Sequence, residues 1–98
     1  MAYQLKWTDI AMEDYKQIIN YLAINWNLKI AEKFIEIVDS KLRLLTKFPF
    51  IGIETNNNKT VRSILITKHN RLFYQINNET IEVLNIFDTR QNPESNPF

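Results

Sequence analysis

The stretch from Val61 to Phe87, VRSILITKHNRLFYQINNETIEVLNIF, decides the fold. It divides into three runs rich in Ile, Val, Leu, Phe and Tyr, at Val61 to Thr67, Arg71 to Ile76 and Thr80 to Phe87, the residue types that suit a pleated, half-buried surface. Lys68-His69-Asn70 and Asn77-Asn78 separate the runs at hairpin length, and asparagine tolerates the positive φ that tight hairpin turns demand. The runs therefore predict a consecutive antiparallel meander of three strands.

Upstream, helical periodicity replaces strand periodicity. Ala11, Tyr15, Ile18, Leu22 and Trp26 recur at intervals that put them on one face of a 3.6-residue period, and Thr8 with Asp9 offers an N-cap and early negative charge. A first helix is expected over residues 9 to 25. Asn27 can cap a second, in which Ala31, Phe34, Ile35, Val38, Leu42 and Leu45 repeat the pattern until Pro49 stops it, giving residues 28 to 47. So short a connection predicts an antiparallel helical hairpin, with Lys29, Lys33, Glu36, Asp39, Lys41 and Arg43 toward water. Tyr3, Leu5 and Trp7 alternate with Gln4 and Lys6, as in a short half-buried strand ahead of the hairpin.

Gly52, the chain's only glycine, follows Phe48-Pro49-Phe50-Ile51, and Asn56-Asn57-Asn58 suits neither regular structure, so a flexible loop is expected from about 52 to 59. From about residue 89 a polar tail with Pro93 and Pro97 is expected to be mobile. The fold class is thus α+β in one domain over residues 1 to 98: an N-terminal strand, a helical hairpin and a three-stranded meander, with the helices packed on one sheet face.

Composition excludes several functions. Without cysteine there is no disulfide framework or thiolate metal site, and one histidine cannot build a histidine-rich one, so no cofactor or metal is expected and a reducing, cytoplasmic setting fits. No run approaches the roughly 18 apolar residues of a membrane span, and no signal peptide is expected. A net charge of +1, from 12 basic and 11 acidic residues, does not describe a generally basic nucleic-acid binder. Any anionic target must be met locally, and Lys59, Arg62, Lys68, Arg71 and Arg90 all stand in the C-terminal part. Glu13, Asp14, Glu32 and Glu36 fit a solvated helix face better than an acid–base pair, and Trp7 and Trp26 fit core or helix packing.

The order of elements resembles the RelE/ParE superfamily, at several separate places. Ala11, Ile18 and Tyr21 are similar to its first helix, Trp26 with Ala31 and Phe34 to its helix junction, and Leu45, Phe48-Pro49 and Gly52 to its exit from the second helix. Arg62 opening a strand, Leu72 to Ile76, Ile81 to Phe87 and Arg90-Gln91-Asn92-Pro93 complete a match over roughly residues 3 to 93. The resemblance implies a toxin of a type II toxin–antitoxin, plasmid-stabilisation-like system, held inactive by a cognate antitoxin and acting on DNA gyrase or on messenger RNA at the ribosome. It implies an antitoxin with a DNA-binding N-terminal part and a disordered C-terminal segment that folds on the toxin, for which Ile10, Ile19, Ile24, Ile37 and Leu44 are candidate contacts. Without the antitoxin a monomer or weak dimer is expected.

Ribosome-dependent cleavage in such a family is phosphoryl transfer from a 2′-hydroxyl, which needs cations around a phosphate and groups that move protons. By position Arg62 and Arg90 match arginines of the nuclease members, with Lys68, His69, Arg71 and Tyr74 as candidate companions on one open sheet face. His69 is a candidate base or acid, and Tyr74 could hydrogen-bond or stack on a base. Each has a plainer role available: Lys68 and His69 as turn residues, Arg71 as an edge charge against strand aggregation, Tyr74 as a core aromatic. Residues 88 to 97 hold no aromatic and no histidine, unlike nuclease members that end in a histidine or tyrosine. That departure favours a ParE-like toxin that binds gyrase, with a RelE-type endoribonuclease and a non-toxic binding module as alternatives.

Overall fold

The computed structural model describes residues 3–55 and 60–88. Along the chain run β1 (Gln4–Trp7), α1 (Asp9–Asn25), α2 (Leu28–Lys47), β2 (Ile53–Glu54), β3 (Val61–Thr67), β4 (Asn70–Asn77) and β5 (Thr80–Asp88). Both helices have the bounds expected from their spacing, because both caps form. The Thr8 side chain accepts from the Ala11 N–H and that of Asn27 from the Ile30 N–H, each at 3.0 Å. Thr8 also donates its hydroxyl to the Leu84 carbonyl at 2.9 Å, so the cap that starts α1 ties it to β5.

The α+β class holds, but the sheet is larger than a three-stranded meander. It is mixed and five-stranded, in the order β1-β5-β4-β3-β2. The meander forms its centre; β1 runs parallel to β5 on one side, from Gln4 opposite Thr80 to Trp7 opposite Val83. On the other side β2 pairs antiparallel with β3 through Ile53 and Glu54, within the span expected to be loop. Both hairpin turns take two residues, since Asn70 pairs with Thr67 and belongs to β4, and Asn78 supplies the positive φ, at 55°. The residues from 56 to 59, including the triple asparagine and Lys59, and the tail from 89, including Arg90, lie outside the described residues.

The core lies between the helical hairpin and one sheet face. Phe34, Val38, Leu42 and Leu45 of α2 and Ala11 of α1 meet Ile66, Leu72, Tyr74, Ile81, Val83 and Ile86. Burying each of the larger aliphatic or aromatic side chains contributes on the order of 1.5–3 kcal/mol. Strand alternation alone would turn Ile86 away from Ile81 and Val83. A bulge restores the phase: Phe73 pairs with Asn85 but Tyr74 pairs with Val83, leaving Leu84 as the extra residue. The Asp14 carboxylate accepts the Ile86 N–H at 3.1 Å beside this irregularity. Burial pushes the Asp14 carboxyl above its ordinary range, partly opposed by that hydrogen bond and aided by the charge of Glu13. On the opposite face Val61, Phe73 and Phe87 form a second cluster with Leu84.

Trp7 packs on Tyr15 with ring centroids 5.1 Å apart, and Tyr15 on Phe34 at 6.1 Å, linking β1, α1 and α2. Trp26, expected in the core or between the helices, is instead 65% exposed. It is the C-cap of α1, one residue before the cap of α2, where helical periodicity no longer governs which way a side chain points.

Candidate functional site

The segment leaving α2 is fastened to the sheet by two of the candidate site residues. Tyr74 is fully buried in β4; its hydroxyl donates to the Pro49 carbonyl at 2.7 Å and accepts from the Gly52 N–H at 2.9 Å. Burial pushes the phenol up from its ordinary value, against the Gly52 hydrogen bond and the nearby Arg62 charge, so at neutral pH it is a neutral donor. Arg62 is the strand partner of Tyr74 on the same face, and it donates to the carbonyls of Phe50 at 3.1 Å and Gly52 at 2.8 Å. Its guanidinium also lies over the Phe50 ring, 5.2 Å from the centroid. Fixed from behind in this way, the segment displays Phe48, Phe50 and Ile51 on the surface.

The other candidates are distributed elsewhere. Arg71 pairs with Leu65 across the ladder, which sets it on the opposite face from Arg62, and it donates to the Ser63 hydroxyl at 2.8 Å. Lys68 and His69 form the β3–β4 turn, where the His69 N–H is accepted by the Thr67 hydroxyl at 3.2 Å and that hydroxyl donates to the Asn70 side chain at 2.9 Å. The described residues therefore split the candidates into a loop anchor (Arg62, Tyr74), a turn (Lys68, His69) and an open-face arginine (Arg71). Among them no group of three or more His, Cys, Asp or Glu is placed to hold a metal ion.

A groove of about 390 Å³ separates the far end of the helical hairpin from the β3–β4 turn. Tyr21, Trp26, Ile30, Phe34 and Ile37 supply aromatic and aliphatic walls, while Lys33, His69 and Asn70 supply its polar edge. Tyr21, Ile24, Trp26, Leu28 and Ile30 are all exposed around this end of the molecule. Of the apolar residues singled out for partner contact, Ile10, Ile24 and Leu44 are exposed, while Ile19 and Ile37 are half-buried against the core. Tyr21 and Trp26 were the missed members of this surface. Two large aromatics close to a two-residue helix junction were the available signal.

Solved structures share the whole architecture. The chromosomal ParDE system of Pseudomonas aeruginosa is similar at 18% identity with a TM-score of 0.74, covering 89% of this chain and 96% of that one. The isolated RelE toxin of Escherichia coli is similar at 17% identity and a TM-score of 0.64, covering 95% and 90%. A RelBE2 toxin–antitoxin complex of Mycobacterium tuberculosis is similar at 17% and 0.62, covering 90% and 99%. No curated protein sequence matches the chain. No described helix is long and apolar enough to cross a membrane. The family described as the ParE toxin of the type II toxin–antitoxin system, parDE, matches residues 5–93, and this chain belongs to it.

Proposed function

We propose that this chain arrests growth in the cytoplasm by binding DNA gyrase, and that a cognate antitoxin neutralises it. The observation that carries the choice of target is the use made of Arg62. A cation that catalyses cleavage must face the scissile phosphate, whereas this guanidinium donates to two carbonyls of its own chain. Tyr74, its neighbour, is buried with both hydroxyl functions engaged. Among the described residues Arg62 and Tyr74 serve to anchor a loop that displays apolar side chains, and that supports inhibition by binding.

The antitoxin is read onto the apolar groove of the helical hairpin. An amphipathic helix recognises such a groove through side chains at helical spacing, and Trp26, Tyr21 and Ile37 offer it a floor and walls. The charged rim at Lys33 would meet carboxylates on the helix's polar side.

Purified chain added to gyrase should inhibit supercoiling of relaxed plasmid, and induced expression should trigger the DNA-damage response. Gyrase left fully active, with new 5′ ends appearing in ribosome-bound messages, would replace gyrase binding by ribosome-dependent cleavage. Harmless expression without any partner would instead make the chain a binding module.

A further inference from the structure

We infer that Phe48, Phe50 and Ile51, held as one projection by Arg62 and Tyr74, are the surface that engages gyrase, and that they enter an apolar cleft on it. This rests on the gyrase reading above and adds which part of the toxin makes the contact.

Exposure and rigidity coincide in this segment. Phe48, Phe50 and Ile51 are close together in sequence and all exposed, Phe50 at 62%. Their backbone is nevertheless held along its length. The Phe48 N–H donates to the Leu44 carbonyl at 2.9 Å and the Ile51 N–H to the Phe48 carbonyl at 3.2 Å. From the sheet side the Tyr74 hydroxyl takes the Pro49 carbonyl and the Gly52 N–H, and Arg62 takes the carbonyls of Phe50 and Gly52. The guanidinium over the Phe50 ring orients the side chain as well as the chain. Ordering of this kind is completed at folding, so docking does not bear its entropic cost. Large aromatic anchors held ready in this way are the residues that dominate the energy of an interface.

Position and chemistry select the occupant. The antitoxin is read onto the hairpin groove, whose last residue on α2 is Ile37. Phe48 lies about three turns farther along, roughly 16 Å at the rise of an α-helix, so a helix seated in the groove leaves the projection uncovered. A second copy of this chain is a poorer match. A twofold axis would set projection against projection, and a projection entering another copy's groove would be a heterologous contact that propagates into open chains. Gyrase is the partner that this leaves. The run from Phe48 to Ile53 carries no charged side chain, so the cleft that receives it is apolar.

The test is inhibition of gyrase supercoiling on relaxed plasmid by the full chain and its variants, beside their affinity for the antitoxin encoded next to it. Phe48→Ser with Phe50→Ser should raise the inhibitory concentration at least about tenfold and leave antitoxin affinity unchanged. Arg62→Ala, which keeps all three apolar side chains and loosens their support, should weaken inhibition with the same selectivity. A benzophenone amino acid in place of Ile51 should cross-link to gyrase on irradiation. Inhibition by the double variant at the wild-type concentration, equal loss of gyrase inhibition and antitoxin binding, or no cross-link from position 51 would each overturn the assignment. Gyrase untouched by the wild-type chain would instead remove the gyrase reading itself, before any variant is compared, and this assignment with it.

Discussion

The Tyr74 hydroxyl occupies the space that a side chain on Gly52 would need. A Cβ built at position 52 would come within 2.8 Å of Tyr74 Cε1 and 2.9 Å of Cζ, and nearer still to Oη. Gly52 has no positive φ, so it is required for room and not for backbone freedom. The ring it meets is fully buried and held at its hydroxyl, and cannot swing aside. Gly52→Ala should therefore cost about 1–3 kcal/mol, the usual penalty for overpacking, read as a fall in the urea midpoint. In a domain of this size each kcal/mol lowers Tm by about 4–8 °C.

Tyr74→Phe tests the same contact from the other side. It leaves the Gly52 N–H and the Pro49 carbonyl without their partner in a buried place, at a cost of about 1–3 kcal/mol. Combined with Gly52→Ala it removes the closest obstruction, so the double variant should lose less than the sum of the two singles. Strict additivity in denaturation experiments would show that the two residues do not share the space.

Alkaline pH provides an independent measure of Tyr74. Burial raises its phenol above the ordinary 10.0, so the unfolded chain releases this proton first as pH rises. Stability from this group is intact below pH 10 and is lost as pH climbs through the folded value. Tyr15 is raised too, by burial and by Asp39, and contributes in the same direction. Comparing wild type with Tyr74→Phe above pH 10 isolates Tyr74: the variant should decline less steeply. Parallel curves would show that the phenol is not held neutral by the fold.

Asp14 makes the corresponding prediction in acid. Its folded value is raised above 3.8, chiefly by burial, so the folded chain keeps this proton longer than the unfolded one. Relative to Asp14→Asn, wild type should be favoured below pH 3.8 and should lose that advantage as pH rises through the folded value. Denaturant midpoints of both proteins across this window give the difference directly. A difference that grows with pH would mean that the Ile86 hydrogen bond outweighs burial.

Much of this architecture is written in local patterns. Thr8 and Asn27 mark both helix starts, because a cap is a contact over three residues. Pairing of β1 with β5 joins residues more than seventy positions apart, so no short window reveals it. Ile53 and Glu54 become a strand only because β3 offers an edge, and two residues have no periodicity to read. The position of Arg62 was more accessible. It stands in phase with Ile64 and Ile66, and that alternation already places it on the core face, away from Arg71. The bulge that rephases Ile86 left only a weak trace, the adjacent Leu84 and Asn85 between residues of the core face.

Ile24 separates binding from folding on the proposed antitoxin surface. It is 81% exposed, the most exposed of the large apolar side chains among the described residues, so Ile24→Glu removes little buried area. A surface change of this kind shifts stability by about 0.5 kcal/mol or less. If an amphipathic helix covers this end of the hairpin, the same substitution puts an unpaired carboxylate into a desolvated interface. Loss of one central apolar contact there costs upward of about 2 kcal/mol, more than a tenfold rise in Kd. Cells expressing Ile24→Glu should then remain growth-arrested when the antitoxin encoded beside this chain is co-expressed at a level that rescues wild type. Gln17→Glu provides the control, the same one-unit change in charge at an exposed position of the same helix, about two turns back from this end of the hairpin. Full rescue of both variants would place the antitoxin elsewhere on the toxin; failure to rescue Ile24→Glu alone would place it on this end of the hairpin.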